Sequence, residues 1–158
     1  MNKTRESDRA MKQPINKVTM AKYMDCACFN LRKAARAVTQ LYDEALRPSG
    51  LRCTQFSLLT ATTMLEPVTV TRLAEVIVTD RTTLARNLGP LEKKGLLDVT
   101  AGDDLRTRIV TLTARGREVL AKAIPLWEKA QGRVVKGLGQ EHWKDLQAHL
   151  NKLVSQAK

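Results

Sequence analysis

The side chains in this sequence that can do chemistry are mostly hydroxyls and cations, and they fall into two groups. The first is Arg81, Thr82, Thr83, Arg86 and Lys93, interleaved with Leu84, Leu88 and Leu91 at helical spacing. Guanidinium groups pair bidentately with guanine edges, threonine methyls meet thymine methyls, and cations bind phosphate oxygens. On a helix, Thr82, Arg86, Gly89 and Lys93 share the face opposite the leucines, so the polar groups are presented together. Thr82, Thr83 and Arg86 are therefore candidates for base edges, and Arg81 and Lys93 for phosphates. The plainer reading is a solvated helix face. The second group is Arg106 and Arg108, which follow the turn-forming run Gly102-Asp103-Asp104. If period two holds, they lie on the same side of one strand. A guanidinium there reaches phosphates or a narrow minor groove, where negative potential is strongest. Asp104 either orients Arg106 through an ion pair or serves only the turn.

Other reactive residues form no comparable pattern. The three cysteines, Cys26, Cys28 and Cys53, are odd in number, which argues against a disulfide framework. Cys26 and Cys28 point roughly 200° apart on a helix, so they do not share a metal. Cys26 falls in the first turn of its helix, where the dipole favours a thiolate, so it is either an oxidant sensor or an inert thiol. His142, Asp145 and His149 share one helix face and are read as solvated residues rather than a metal site. The sequence contains no Gly-rich phosphate loop, nucleophile elbow or zinc motif, so neither catalysis nor a cofactor is expected.

The elements that must position the two groups follow from periodicity. Asp80 is a good N-cap for a helix over 81–94, and Gly95 with Leu96 suits a Schellman ending. Pro90 inside it removes a donor to the Arg86 carbonyl and favours a kink. Thr69 caps a shorter helix ahead of it, with Leu73, Ala74 and Ile77 inward. Residues 96–101 and 106–112 read as two strands joined by the Gly102 turn. A short helix, a turn, a second helix and a hairpin with cations near its tip make a winged helix.

Several runs then resemble a known family. Asp104-Leu-Arg106, the strand after it, and Leu112-Thr113-x-x-Gly116 are similar to the wing-to-helix signature of the multiple antibiotic resistance regulator (MarR) family. Arg72-Leu73-Ala74 and Leu91-Glu-Lys-Lys-Gly95-Leu96 resemble its two helix-turn-helix blocks. The resemblance extends loosely over 24–158. It implies a homodimeric transcriptional regulator, most often a repressor, whose first helix joins the last two in the dimer interface. It also implies a small effector, often an anionic aromatic, that releases DNA by changing the distance between two recognition helices.

The remainder of the chain agrees with that layout. The 158 residues carry a formal net charge of +11, which calls for a polyanionic partner. No apolar run approaches the ~20 residues of a membrane span, and the N-terminus lacks an apolar signal core, so a cytoplasmic protein without membrane attachment is expected. Residues 1–20 read as a flexible polar tail. A helix over 24–47, capped by Asp25, carries the seam Met24, Cys28, Leu31, Ala35, Val38, Tyr42 and Ala45. A helix over 54–65 is capped by Thr54. Thr113 caps a helix to about 136, kinked at Pro125, and a last helix covers 140–155. The expected organisation is mainly α with a small β-hairpin wing: a winged helix-turn-helix DNA-binding domain over 51–112, and a helical dimerisation region over 21–50 and 113–158. A symmetric dimer calls for an inverted-repeat operator in double-stranded DNA. Two rival readings share the basic charge, namely a non-specific architectural DNA-binding protein and a module that docks on anionic membranes or proteins.

Overall fold

A computed structural model describes residues 20–104 and 106–157, apart from the side chain of Lys22. Of the expected tail, residues 1–19 lie outside the described residues. Among the described residues the helices used below are α1 (Ala27–Leu46), α2 (Cys53–Leu65), α3 (Val70–Val76), α4 (Arg81–Lys93), α5 (Ala114–Leu138) and α6 (Gln140–Gln156). The strands are β1 (Val68–Thr69), β2 (Leu97–Ala101) and β3 (Arg108–Leu112). The chain divides into two compact units between Val38 and Thr39, inside α1.

In the first unit, Lys22–Asp25 forms a 3-10 turn and α1 begins at Ala27. Asp25 therefore belongs to the turn and does not cap the helix. The Asn30 side chain donates instead to the Met24 and Cys26 carbonyls, at 2.6 and 3.1 Å, and holds that turn onto the helix. Cys26 precedes the first helical turn, with its side chain exposed.

In the second unit, local caps fix most helix starts. Thr69, Asp80 and Thr113 accept the amides of Arg72, Thr83 and Gly116 at 3.0, 2.8 and 2.9 Å, as the sequence leads one to expect. The cap of α2 differs. Asp43 reaches from α1 to accept the Cys53 amide at 2.6 Å, and the Gln55 side chain accepts the Arg52 amide at 3.1 Å. With the Cys53 amide already satisfied, α2 starts there, and Thr54 lies inside the first turn rather than at the cap.

The sheet has three antiparallel strands in the order β1-β3-β2, so the expected hairpin gains a third strand. β1 pairs Val68 with Val110 and Thr69 with Ile109, immediately before Thr69 caps α3. The core lies under this sheet. Leu46, Leu59, Leu73, Leu84, Leu91, Leu97 and Val110 are fully enclosed there. Phe56 of α2 stacks on Trp127 of α5 with ring centroids 5.9 Å apart. Neither internal proline ends its helix, since α4 runs through Pro90 and α5 through Pro125. Both prolines are exposed, so water can take the carbonyls they leave free.

Helix α6 is different in kind. None of its residues is buried in the single chain, and Leu146, Leu153 and Val154 are exposed. No helix among the described residues is long and apolar enough to cross a membrane.

Candidate nucleic-acid interface

Helix α4 is held by its leucines. Leu84, Leu88 and Leu91 are buried, and each sits on the one stripe that meets the core. Arg81, Thr82, Arg86 and Lys93 are consequently exposed. Asp80 fixes the start of the helix. Its carboxylate accepts the Thr83 amide at 2.8 Å and the Thr83 hydroxyl at 2.6 Å. These bonds, the side-chain one foremost, hold the Asp80 carboxyl below the usual carboxylate range. They also engage the Thr83 hydroxyl proton, leaving its methyl and oxygen lone pairs without a partner among these bonds. At the other end Gly95 adopts φ 66°, which favours glycine. The Gly95 amide donates to Glu92 at 2.8 Å and the Leu96 amide to Leu91 at 3.0 Å, the two bonds of a Schellman ending.

The wing arginines part company. Arg106 lies in the tip turn, outside β3, and Arg108 is the first residue of the strand. Period two therefore does not run through both, and the expected shared side is corrected. Arg108 alternates with Val110 and Leu112, which are buried, so it springs from the face that packs on the core. Its guanidinium donates to the Val99 carbonyl at 3.2 Å. Asp104 accepts the backbone amide of Arg106 at 3.0 Å, the bond of an Asx turn. No ion pair joins its carboxylate to the Arg106 guanidinium, so of the two roles open to Asp104 the turn role is the one present. Among the described residues the ion pairs are Arg52–Asp43, Arg72–Glu75 and Arg117–Glu66. The cationic heads of Arg81, Arg86, Lys93, Arg106 and Arg108 are thus unneutralised by any described carboxylate.

At the foot of the wing, Glu66, Gly116 and a second bond of the capping Thr113 have roles that only the fold creates. The Thr113 hydroxyl donates to the Gly95 carbonyl at 2.7 Å while accepting the Gly116 amide, so it joins the end of α4 to the start of α5. Gly116 lies so close to Leu96 that a Cβ there would stand 1.9 Å from the Leu96 carbonyl oxygen. Glu66 accepts the Leu112 amide at 2.8 Å and pairs with Arg117. The Arg117 bond is the main reason its carboxyl lies below the usual range, and the Leu112 amide adds to it. The Leu-Thr-x-x-Gly run signalled Thr113 as a cap and Gly116 beside it, and the fold supplies the Thr113 bond to Gly95 and the reason for Gly116.

The remaining candidates separate from this surface. Cys28 is exposed and Cys53 half-buried; burial, then the charge of Asp43, pushes the Cys53 thiol up. His149 turns its Nδ1 to the Asp145 backbone carbonyl at 2.7 Å, not to the carboxylate. Among the described residues no group of three His, Cys, Asp or Glu is placed to hold a metal ion.

No protein-family model matches the chain. The transcriptional regulator MosR of M. tuberculosis, solved in complex with DNA, is 43% identical, with 84% of this chain and 96% of that one covered and a TM-score of 0.78. The chain belongs to the MarR family. A second such regulator, the transcriptional repressor CouR bound to a 23-mer DNA duplex, is 26% identical, covers 85% of this chain and 96% of its own, and has a TM-score of 0.76. An HTH-type transcriptional regulator of Bacillus cereus is 31% identical over 86 residues, 54% of this chain. The chain spans only 57% of that relative's length. The winged helix of this MarR-family chain is the fold that its sequence runs resemble.

Proposed function

We propose that this MarR-family chain regulates transcription by binding an inverted-repeat operator in double-stranded DNA as a homodimer. The observation that carries this reading is the outward face of α4, where Thr82, Arg86 and Lys93 stand exposed with no described carboxylate pairing the cations. The likeness to DNA-bound MosR supports it. In this reading Thr82, Thr83 and Arg86 meet base edges, and Arg81 and Lys93 meet phosphates. Arg106 enters the minor groove from the wing tip, with Asp104 shaping the turn that presents it. The protein acts in the cytoplasm, by binding rather than catalysis, and mainly as a repressor. Sequencing the genomic fragments that the purified protein selects tests this. The expected result is a shared inverted repeat bound far more tightly than random duplex. Equal affinity for both would favour the architectural rival.

The dimer reading rests on α6. A 17-residue helix with no buried residue gains little from its own chain, and its exposed Leu146, Leu153 and Val154 need an apolar partner. Helices α1, α5 and α6 would supply it between two copies. Light scattering is expected to give twice the 17.7 kDa chain mass at micromolar concentration. Release from DNA would follow a small-molecule effector or oxidation of exposed Cys26. Peroxide that weakens binding in the wild type but not in Cys26→Ser selects the second trigger.

A further inference from the structure

Arg108 leaves the wing on the side that faces α4. Its strand neighbours on that side, Val110 and Leu112, are buried, and its guanidinium folds onto the Val99 carbonyl at 3.2 Å. The side chain lines a cleft of ≈ 270 Å³ together with Val70, Ala85, Gly89, Glu92 and Val99. The cleft is walled by α4 on one side and the wing on the other. At roughly 100° per residue, Ala85 lies on the α4 flank between the buried leucines and the outward face, and Gly89 lies at the edge of that outward face nearest Ala85. A Cβ at Gly89 would meet nothing within 4 Å, so the fold itself does not require glycine there.

In a duplex, the major groove and the adjacent minor groove are separated by one sugar–phosphate strand. A helix in the first and a wing tip in the second must have that strand between them. We propose that the cleft between α4 and the wing seats this strand, and that Arg108 binds its phosphate. The proposal rests on the reading of α4 as the major-groove helix. It gives Arg108 a different task from Arg106, for Arg108 holds backbone and reads no base. Apolar Val70 and Val99 face the sugar edges, and the bare backbone at Gly89 allows close approach. Glu92 carries the wrong sign for a phosphate and lies one turn beyond Leu88. That places the phosphate toward Ala85 and Gly89, where Arg108 is the cation. On binding, the guanidinium exchanges the neutral Val99 carbonyl for an anionic oxygen, a stronger acceptor.

The test measures affinity of the whole protein for its selected genomic duplex and for a random-sequence duplex, over a range of salt. Arg108→Ala is expected to weaken both by the same factor. It should also reduce the slope of log affinity against log salt by about 0.9 for each bound subunit. Arg108→Lys should keep the slope, because a point charge displaces the same counterion. Glu92→Gln should tighten both duplexes. A methylphosphonate at the phosphate in the cleft should weaken the wild type and leave Arg108→Ala unaffected. Thermal melts serve as the folding check, and Arg108→Lys carries the test if Arg108→Ala is unstable. An unchanged slope in Arg108→Ala, or loss of slope in Arg108→Lys, overturns the proposal. So does a change in preference at a single base pair. Loss of the selected-over-random ratio in the wild type would instead sink the operator reading, while the slopes on random duplex would still decide for or against Arg108.

Discussion

Gly116→Ala sets two physical effects of opposite sign against each other. Gly116 lies in the first turn of α5, and helix propensity alone predicts a gain of up to ~1 kcal/mol for alanine. The packing predicts a loss. The new Cβ would stand 1.9 Å from the Leu96 oxygen and 2.9 Å from its carbonyl carbon. Close C···O contacts settle near about 3.3 Å, so the two backbones must separate by about 1.4 Å. Leu96 is not free to retreat, because its amide closes the Schellman ending of α4 and its carbonyl accepts the Thr113 amide at 3.3 Å. Overpacking against backbone costs about 1–3 kcal/mol, and the upper part of that range applies where neither side can rotate away. The expected net effect is a loss of about 2 kcal/mol. Gly132→Ala in the same helix is the control: nothing lies within 4 Å of its Cβ, and it should gain about 0.5–1 kcal/mol. Urea unfolding at one fixed protein concentration measures both, since assembly shifts apparent stability. If Gly116→Ala gains stability as Gly132→Ala does, the close approach of α5 to Leu96 is not a constraint and the reasoning fails.

Four more outcomes are expected. The Arg117 bond holds the Glu66 carboxyl below the ordinary glutamate range, so its contribution is complete above that range and is lost as pH falls through the lower folded value. Urea midpoints taken downward from pH about 6 should fall less steeply in Glu66→Gln than in the wild type, and parallel curves would contradict this. Val78 holds φ 57° at the end of α3, a left-handed conformation that a β-branched residue adopts only under strain. Val78→Gly should therefore raise stability by about 0.5–1 kcal/mol, and a loss would show that the exposed valine makes contacts worth more than its strain. Arg86→Ala should cost about 1–3 kcal/mol on the selected operator and relax preference at one base pair per half-site. Arg106→Ala should weaken all duplexes more evenly, and a uniform loss in Arg86→Ala as well would deny α4 its reading role.

What was legible in the sequence was what is decided locally. Asp80, Thr69 and Thr113 act on amides three residues away, and the leucine stripe of α4 is a matter of periodicity, so both could be read without the fold. β1 could not, because two residues carry no period and Val68 is a strand only through Val110. The cap of α2 was misread because the carboxylate that starts it, Asp43, comes from another helix. Arg106 and Arg108 looked equivalent because β-rich composition extends past the point where the ladder begins. The register, which sets Ala101 opposite Arg108, turns one of them toward α4. Glu66 lies one residue past α2, and its bonds to Leu112 and Arg117 exist only once the wing has folded back onto α5.

The Thr113 hydroxyl, shared between Gly95 and Gly116, ties the end of α4 to the near end of α5, so α4 travels with that end. At 25 residues α5 is about 37 Å long. A swing of roughly 5° about its far end carries the near end by about 3 Å, close to the 3.4 Å rise of one base pair. A swing that small thus carries the face bearing Thr82 and Arg86 through about the distance of one base step.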